Sequence, residues 1–285
     1  DVASGTNGNI VLSTSSGDIT GLATVNAGSG NVTLNSAGAI VDDGSSGTVI
    51  TGGVLTADAA GAITIDSTVT SANISTSAAG AVDLDETDAI TLTDVDTNDG
   101  SITVDAGGLI TATDVVASGG SGDSVTLSTT TGGAVATLVT GADAVSITAN
   151  AGDITIGSVT ATAGTLGVTA TAGSINDAAD DNTADFTAGG LITLTAQDEI
   201  GVLGSGSDLD LEFAAGSSVN VSTTGTGAID LDGLGALTLS DVDTVNGAIT
   251  ASSAGALTVT DVASGTNGNI VLSTSSGDIT GLATV

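Results

Sequence analysis

Short segments in which apolar residues alternate with Thr, Ser or Asp recur along the whole chain. Examples are Gly17-Asp-Ile-Thr, Gly247-Ala-Ile-Thr, Gly255-Ala-Leu-Thr-Val and Gly268-Asn-Ile-Val-Leu. Alternation of this kind is the period of a strand with one buried face. The spacing between segments constrains the fold more than any single segment does. Their first apolar residues are Leu237, Ile249, Leu257, Ile270 and Ile279. Residues 261–285 repeat residues 1–25 letter for letter, so the series continues at Val32 and Ile40. The gaps run 12, 8, 13, 9, 13 and 8, and every neighbouring pair sums to 20–22. Two longer strands therefore recur once per coil, and the coil is about 21 residues long, a period in the range of solenoid repeats. The longer gap leaves room for a third short strand, at Asp241-Val242 and Asp261-Val262. This spacing predicts an all-β chain folded as a three-faced parallel β-solenoid, in which each coil buries its apolar face only by stacking on its neighbours.

The identity of the two 25-mers also sets the expected organisation. Residues 1–260 read as one tandem solenoid unit, and residues 261–285 as the start of the next identical unit in a longer chain. An older duplication lies inside the unit. Residues 80–108 align without gaps to residues 227–255, with 16 of 29 positions identical, among them the glycines and the tetrapeptide Asp-Val-Asp-Thr at 94–97 and 241–244.

Composition agrees with the solenoid and removes many functions. There is no Pro, which would deprive a coil of a ladder donor. Gly, Asn, Asp and Ser punctuate the corners, where a positive φ is expected to be common. A β-sandwich array would lack the regular coil sum and would call for more core aromatics than Phe186 and Phe213. The chain has 33 acidic residues and no Lys, Arg or His. Nothing neutralises phosphate, so nucleic acid and anionic lipid are not expected as partners. His and Cys metal sites are excluded, as are disulfides and most catalytic nucleophiles and bases. At 40% hydrophobic residues the chain is too apolar for an acidic disordered segment, and its apolar runs are too short for a membrane span.

The repeated Gly-x-Ile/Leu-Thr segments resemble the repeats of filamentous-haemagglutinin-like bacterial surface proteins. So do Gly173-Ser-Ile-Asn-Asp-Ala, the 188–196 stretch Ala-Gly-Gly-Leu-Ile-Thr-Leu-Thr-Ala, and Asp198-Glu-Ile-Gly. The resemblance spans essentially the whole chain. It implies a long right-handed β-helix, exported to the cell surface or beyond as an adhesin or filament. Gly119-Gly-Ser-Gly-Asp-Ser-Val differs from the calcium-binding nonapeptide of toxin solenoids, because its Asp falls one position early and the motif does not recur at that period.

Candidate sites follow from coil spacing. Asp94 and Asp114 are separated by one coil, as are Asp241 and Asp261, and Asp96 and Asp243 stand beside them. Stacked one coil above another, these carboxylates form oxygen clusters of the kind that calcium prefers. Asp94, Asp96, Asp114, Asp241, Asp243 and Asp261 are therefore the candidate Ca²⁺ ligands; the competing reading is corner aspartates that cap backbone N–H groups and face water. The stretch 176–189, with Asp177, Asp180, Asp181 and Asp185, widens the gap between Ile175 and Ile192 to 17, where 12 or 13 is usual. It reads as an enlarged corner loop. Asp208, Asp210 and Glu212 alternate with Leu209, Leu211 and Phe213, which predicts outward carboxylates and inward apolar residues.

No carboxylate pair stands out for glycosidic hydrolysis, and no basic residue holds an acidic sugar, so no enzyme activity and no required cofactor are expected. Thr pairs such as Thr91/Thr93 and Thr258/Thr260 do not recur on every coil, as an ice-binding array would require. The expected function is structural: a repeat segment of a long secreted protein that forms an extracellular filament, fibre or sheath by stacking copies end to end. The alternative is the stalk of a giant surface adhesin whose binding domain lies outside this segment. In both, cations serve as counter-ions.

Overall fold

The alternating segments form strands in a computed structural model, which describes residues 1–285 except 45, 46, 48, 180, 205–207, 215 and 282–285. The described residues are all-β, without helix, and every strand pairing between them is parallel. They form a parallel β-solenoid with about 21 residues per coil and about 13 turns in all. No helix is long and apolar enough to cross a membrane. The chain divides into two compact units, Asp1–Gly132 with Leu138–Ala142, and Gly133–Thr137 with Asp143–Val285.

In the first unit each coil contributes three pairing segments. Val82 pairs with Ile102, Ile90 with Ile110, and Val95 with Val115, the same step on all three faces. The apolar partner of each alternation points inward, and Val95, Ile102, Val104, Ile110 and Val115 are all 0% exposed. Each such side chain contributes roughly 1.5–3 kcal/mol by leaving water. A register shift between Leu92 and Asp94 breaks one long strand into two faces.

The corner that follows explains the repeated tetrapeptide. In Asp94-Val95-Asp96-Thr97 the valine enters the core and the aspartates point outward. Thr97 is 0% exposed, and its hydroxyl donates to the carbonyl oxygen of Gly100. Thr244 does the same to Gly247, at 2.7 Å, in the second unit. A buried donor thus meets a corner carbonyl that the ladder does not use. A positive φ occurs at glycines such as Gly17, Gly28 and Gly152, as expected, but Gly100 and Gly247 do not adopt one. They allow close approach instead. A Cβ on Gly100 would lie 2.4 Å from the Gly80 carbonyl oxygen, and one on Gly247 would lie 1.9 Å from that of Gly227.

The second unit starts with regular coils, in which Val145 pairs with Leu166 and Ile154 with Ile175. Two coils are then enlarged. Ile175 bridges to Ile200, and Ile200 to Ile229, so each step carries extra chain. Phe186, 0% exposed, takes the ladder position held by Val159 in one neighbouring coil and Leu211 in the other. The shorter step returns with Ile229 and Ile249.

The duplicated 25-mer is seen with both of its edges engaged. In the first unit Val2, Ile10 and Ile19 pair with Val25, Val32 and Ile40, which follow them in the chain. In the second unit the identical Val262, Ile270 and Ile279 pair with Val242, Ile249 and Leu257, which precede them.

Candidate functional site

The two Asp-Val-Asp-Thr corners are built alike. Val95 N–H donates to the Asp114 carbonyl oxygen at 2.9 Å, and Val242 N–H to that of Asp261 at 3.0 Å. Each tetrapeptide is thereby held against the aspartate one coil on. Asp94 and Asp96 are exposed, and the Asp94 carboxylate accepts from Asn73 Nδ2 at 3.3 Å. One Asp114 oxygen is buried without a hydrogen-bond partner. Partial desolvation, then Asp94 and Asp114, push the Asp96 carboxyl up to about 6. Desolvation, then Asp241 and Asp261, also raise Asp243. Each predicted triad thus lies around one corner of its own unit, but neither brings one oxygen from each of its three carboxylates within 4.8 Å of the others.

A denser cluster lies in the enlarged coils. The strands Leu209–Phe213 and Ile229–Gly233 pair with Leu209 opposite Leu231, Asp210 opposite Asp232 and Leu211 opposite Gly233. Continuing that register by one residue sets Asp208 beside Asp230. The even-numbered positions share one side, so the register places Asp230 on the same side as Asp208, Asp210 and Asp232, in an arrangement called the square below. Asp208, Asp210 and Asp232 each bring an oxygen within 4.8 Å of the others, the one such group of three among the described residues. Two unit charges at that distance repel by roughly 3–4 kcal/mol at an effective dielectric of 20.

Asp185 extends the square. Its N–H donates to the Asp210 carbonyl oxygen at 3.0 Å, and its Oδ2 accepts from Asp210 N–H at 2.9 Å. Gly204 N–H donates to Asp230 Oδ2 at 3.3 Å. Ser252 Oγ donates to Asp232 Oδ1.

Asp185, Asp210 and Asp230 are buried and Asp208 and Asp232 half-buried, which corrects the expectation that Asp210 points into solvent. On the outward side of this strand only Asp210 is buried, at 2% exposed, while Asp208 is half-exposed and Glu212 exposed as expected; Phe213, read as inward, is half-exposed. Asp185 is 3% exposed, although it belongs to the stretch read as a corner loop. Asp181–Thr183 of that stretch are exposed, and Asp180 lies outside the described residues. Burial, chiefly, raises the Asp210 carboxyl to about 7, with Asp208 and Asp232 adding to it. Burial likewise lifts Asp185 to about 8 and Asp230 to about 6.

Glu86 in the first unit shows the other way to bury an acid. It is 4% exposed, accepts from Ser67 Oγ at 2.6 Å and from Val69 N–H at 3.1 Å, and so has donors for its charge. Asp210 Oδ1 is buried and has none.

The coil spacing that identified Asp94 and Asp114 also contains the square, since Asp208 and Asp230, like Asp210 and Asp232, are separated by one coil. What the spacing does not carry is the burial of Asp210 and Asp230. With carboxylates as its only ionisable side chains, the arrangement can hold protons or hard, oxygen-seeking cations. No protein-family model, curated protein or solved structure matches the chain.

Proposed function

We propose that this chain is a structural repeat segment of a long secreted protein that builds an extracellular filament, fibre or sheath. The observation that carries this reading is the duplicated 25-mer. One copy pairs with the coil that follows it and the identical copy pairs with the coil that precedes it. A tandem chain satisfies both edges of every copy at once, so stacking continues from unit to unit. Open solenoid edges otherwise invite uncontrolled association.

The likeness to filamentous-haemagglutinin-like repeats supports a location outside the cell. So does the absence of Lys and Arg, which leaves trypsin-like proteases no cleavage site. Cations are the counter-ions of the stacked carboxylates, at the Asp94/Asp96/Asp114 and Asp241/Asp243/Asp261 corners among others. Electron microscopy of native material tests the reading. A continuous rod with an axial repeat near ~60 Å, from about 12 coils at ~4.8 Å each, is expected. Isolated globular particles refute it.

The same resemblance favours a second reading, the stalk of a surface adhesin. A distinct non-repeat domain at one end of the full-length gene selects the stalk, and repeats running to both ends select the filament.

A further inference from the structure

We propose that the enlarged coils of the second unit form a calcium site, with Asp208, Asp210 and Asp232 as direct ligands and Asp230 beside them in the same square. Three observations lead there. The first is spacing. Calcium takes its oxygens at 2.3–2.6 Å, so one ion reaches oxygens up to roughly 5 Å apart. One oxygen from each of the three aspartates falls within 4.8 Å of the others.

The second is an unanswered acceptor. Asp210 is 2% exposed, and its Oδ1 has no hydrogen-bond partner. Buried polar atoms are nearly always partnered, and an orphan inside a ring of like charge calls for a positive group. The third is the lack of any cationic side chain, since the sequence includes no Lys, Arg or His. Glu86 shows that this chain supplies hydroxyl and N–H donors where a buried carboxylate is to stand alone. At Asp210 it supplies further carboxylates instead.

The donor set decides the ion. All ligands are oxygen, which disfavours zinc and copper. Two opposed strands with an irregular approach suit calcium, which accepts six to eight oxygens in flexible geometry, better than magnesium, which demands a near-ideal octahedron. Water and backbone carbonyls complete the shell. The site differs in place and composition from the Asp-Val-Asp-Thr corners, which lie on exposed coil surfaces.

Isothermal titration of the chelator-treated chain with CaCl₂ at pH 8, together with thermal melts, tests the assignment. Expected are a saturable calcium-binding event and a rise in Tm. Asp210→Asn and Asp232→Asn each weaken that event by about tenfold or more, while Asp278→Asn, at an exposed position, leaves it unchanged. Circular dichroism reports whether each variant is folded, and Asp208→Asn, at the half-exposed edge of the square, decides the matter if Asp210→Asn is not. The proposal falls if the wild-type chain shows no calcium heat and no Tm change, because the square then holds only protons. It also falls if the folded square variants bind as the wild type does, or if binding is lost in Asp94→Asn and kept in Asp210→Asn.

Discussion

The coils around Val82–Ala117 in the first unit and those spanning Ile175–Gly233 in the second use the same three-segment pairing, yet they treat acid in opposite ways. In the first, the step from Val82, Ile90 and Val95 to the next coil is the same on each face, and the Asp94 and Asp96 carboxylates stay at the surface. The one buried acid in that region, Glu86, has hydroxyl and backbone donors. In the second, the coils linking Ile175, Ile200 and Ile229 carry extra chain, and Asp185, Asp210 and Asp230 are buried close to one another. Added length is therefore not idle loop. It accompanies the burial of Asp185, Asp210 and Asp230, and so a change in the medium in which their charges sit.

Replacing the aromatic that fills the enlarged coils is the hardest test of this contrast. Phe186→Ala removes a fully buried ring from a ladder position otherwise held by Val or Leu. A loss of about 3–5 kcal/mol is expected in urea denaturation. Val95→Ala, a smaller deletion in the regular coils, should cost visibly less. Equal costs would mean that the enlarged coils lean no more on their core than the regular ones do.

The next largest effect is on pH. Burial holds the carboxyls of Asp185, Asp210 and Asp230 above their ordinary value of 3.8, at about 8, 7 and 6. The folded chain then keeps protons that the unfolded chain releases. Stability from these groups is fully present below about pH 4 and is lost as pH rises through about 8. In calcium-free buffer the Tm should fall across that window, reflecting a loss on the order of a few kcal/mol. Asp210→Asn should flatten the slope, and an unchanged slope would place the titrating groups elsewhere.

The smallest effect separates corner from strand. Gly100→Ala pushes a Cβ to within 2.4 Å of a carbonyl oxygen and should cost about 1–3 kcal/mol. Gly167→Ala, on a strand with nothing within 4 Å of the new carbon, should be neutral or stabilise by about 0.5–1 kcal/mol. If both substitutions behave alike in denaturant melts, close approach is not what selects glycine at the corners.

Much of this architecture was legible in the residues. The recurring sum of two gaps encodes the coil, because a side-chain period of two cannot slip without moving a whole face to solvent. The repeated Asp-Val-Asp-Thr was visible as a motif, but its reason was not. Only the fold shows Thr97 and Thr244 reaching the corner carbonyls. Asp210 escaped for a different reason. Alternation says which side of the strand a residue takes, and it is silent on what covers that side.

Within each unit the ladder hydrogen bonds run from coil to coil, along the direction of stacking. A pull in that direction loads them in series, so coils peel one after another instead of failing together. Each coil released exchanges ~4.8 Å of stack for roughly 70 Å of slack chain. The enlarged coils through Ile200 hold longer reserves than the regular ones. Under tension such a chain acts as a shock absorber, and the coils that bury a cluster of acids are also those that release extra length.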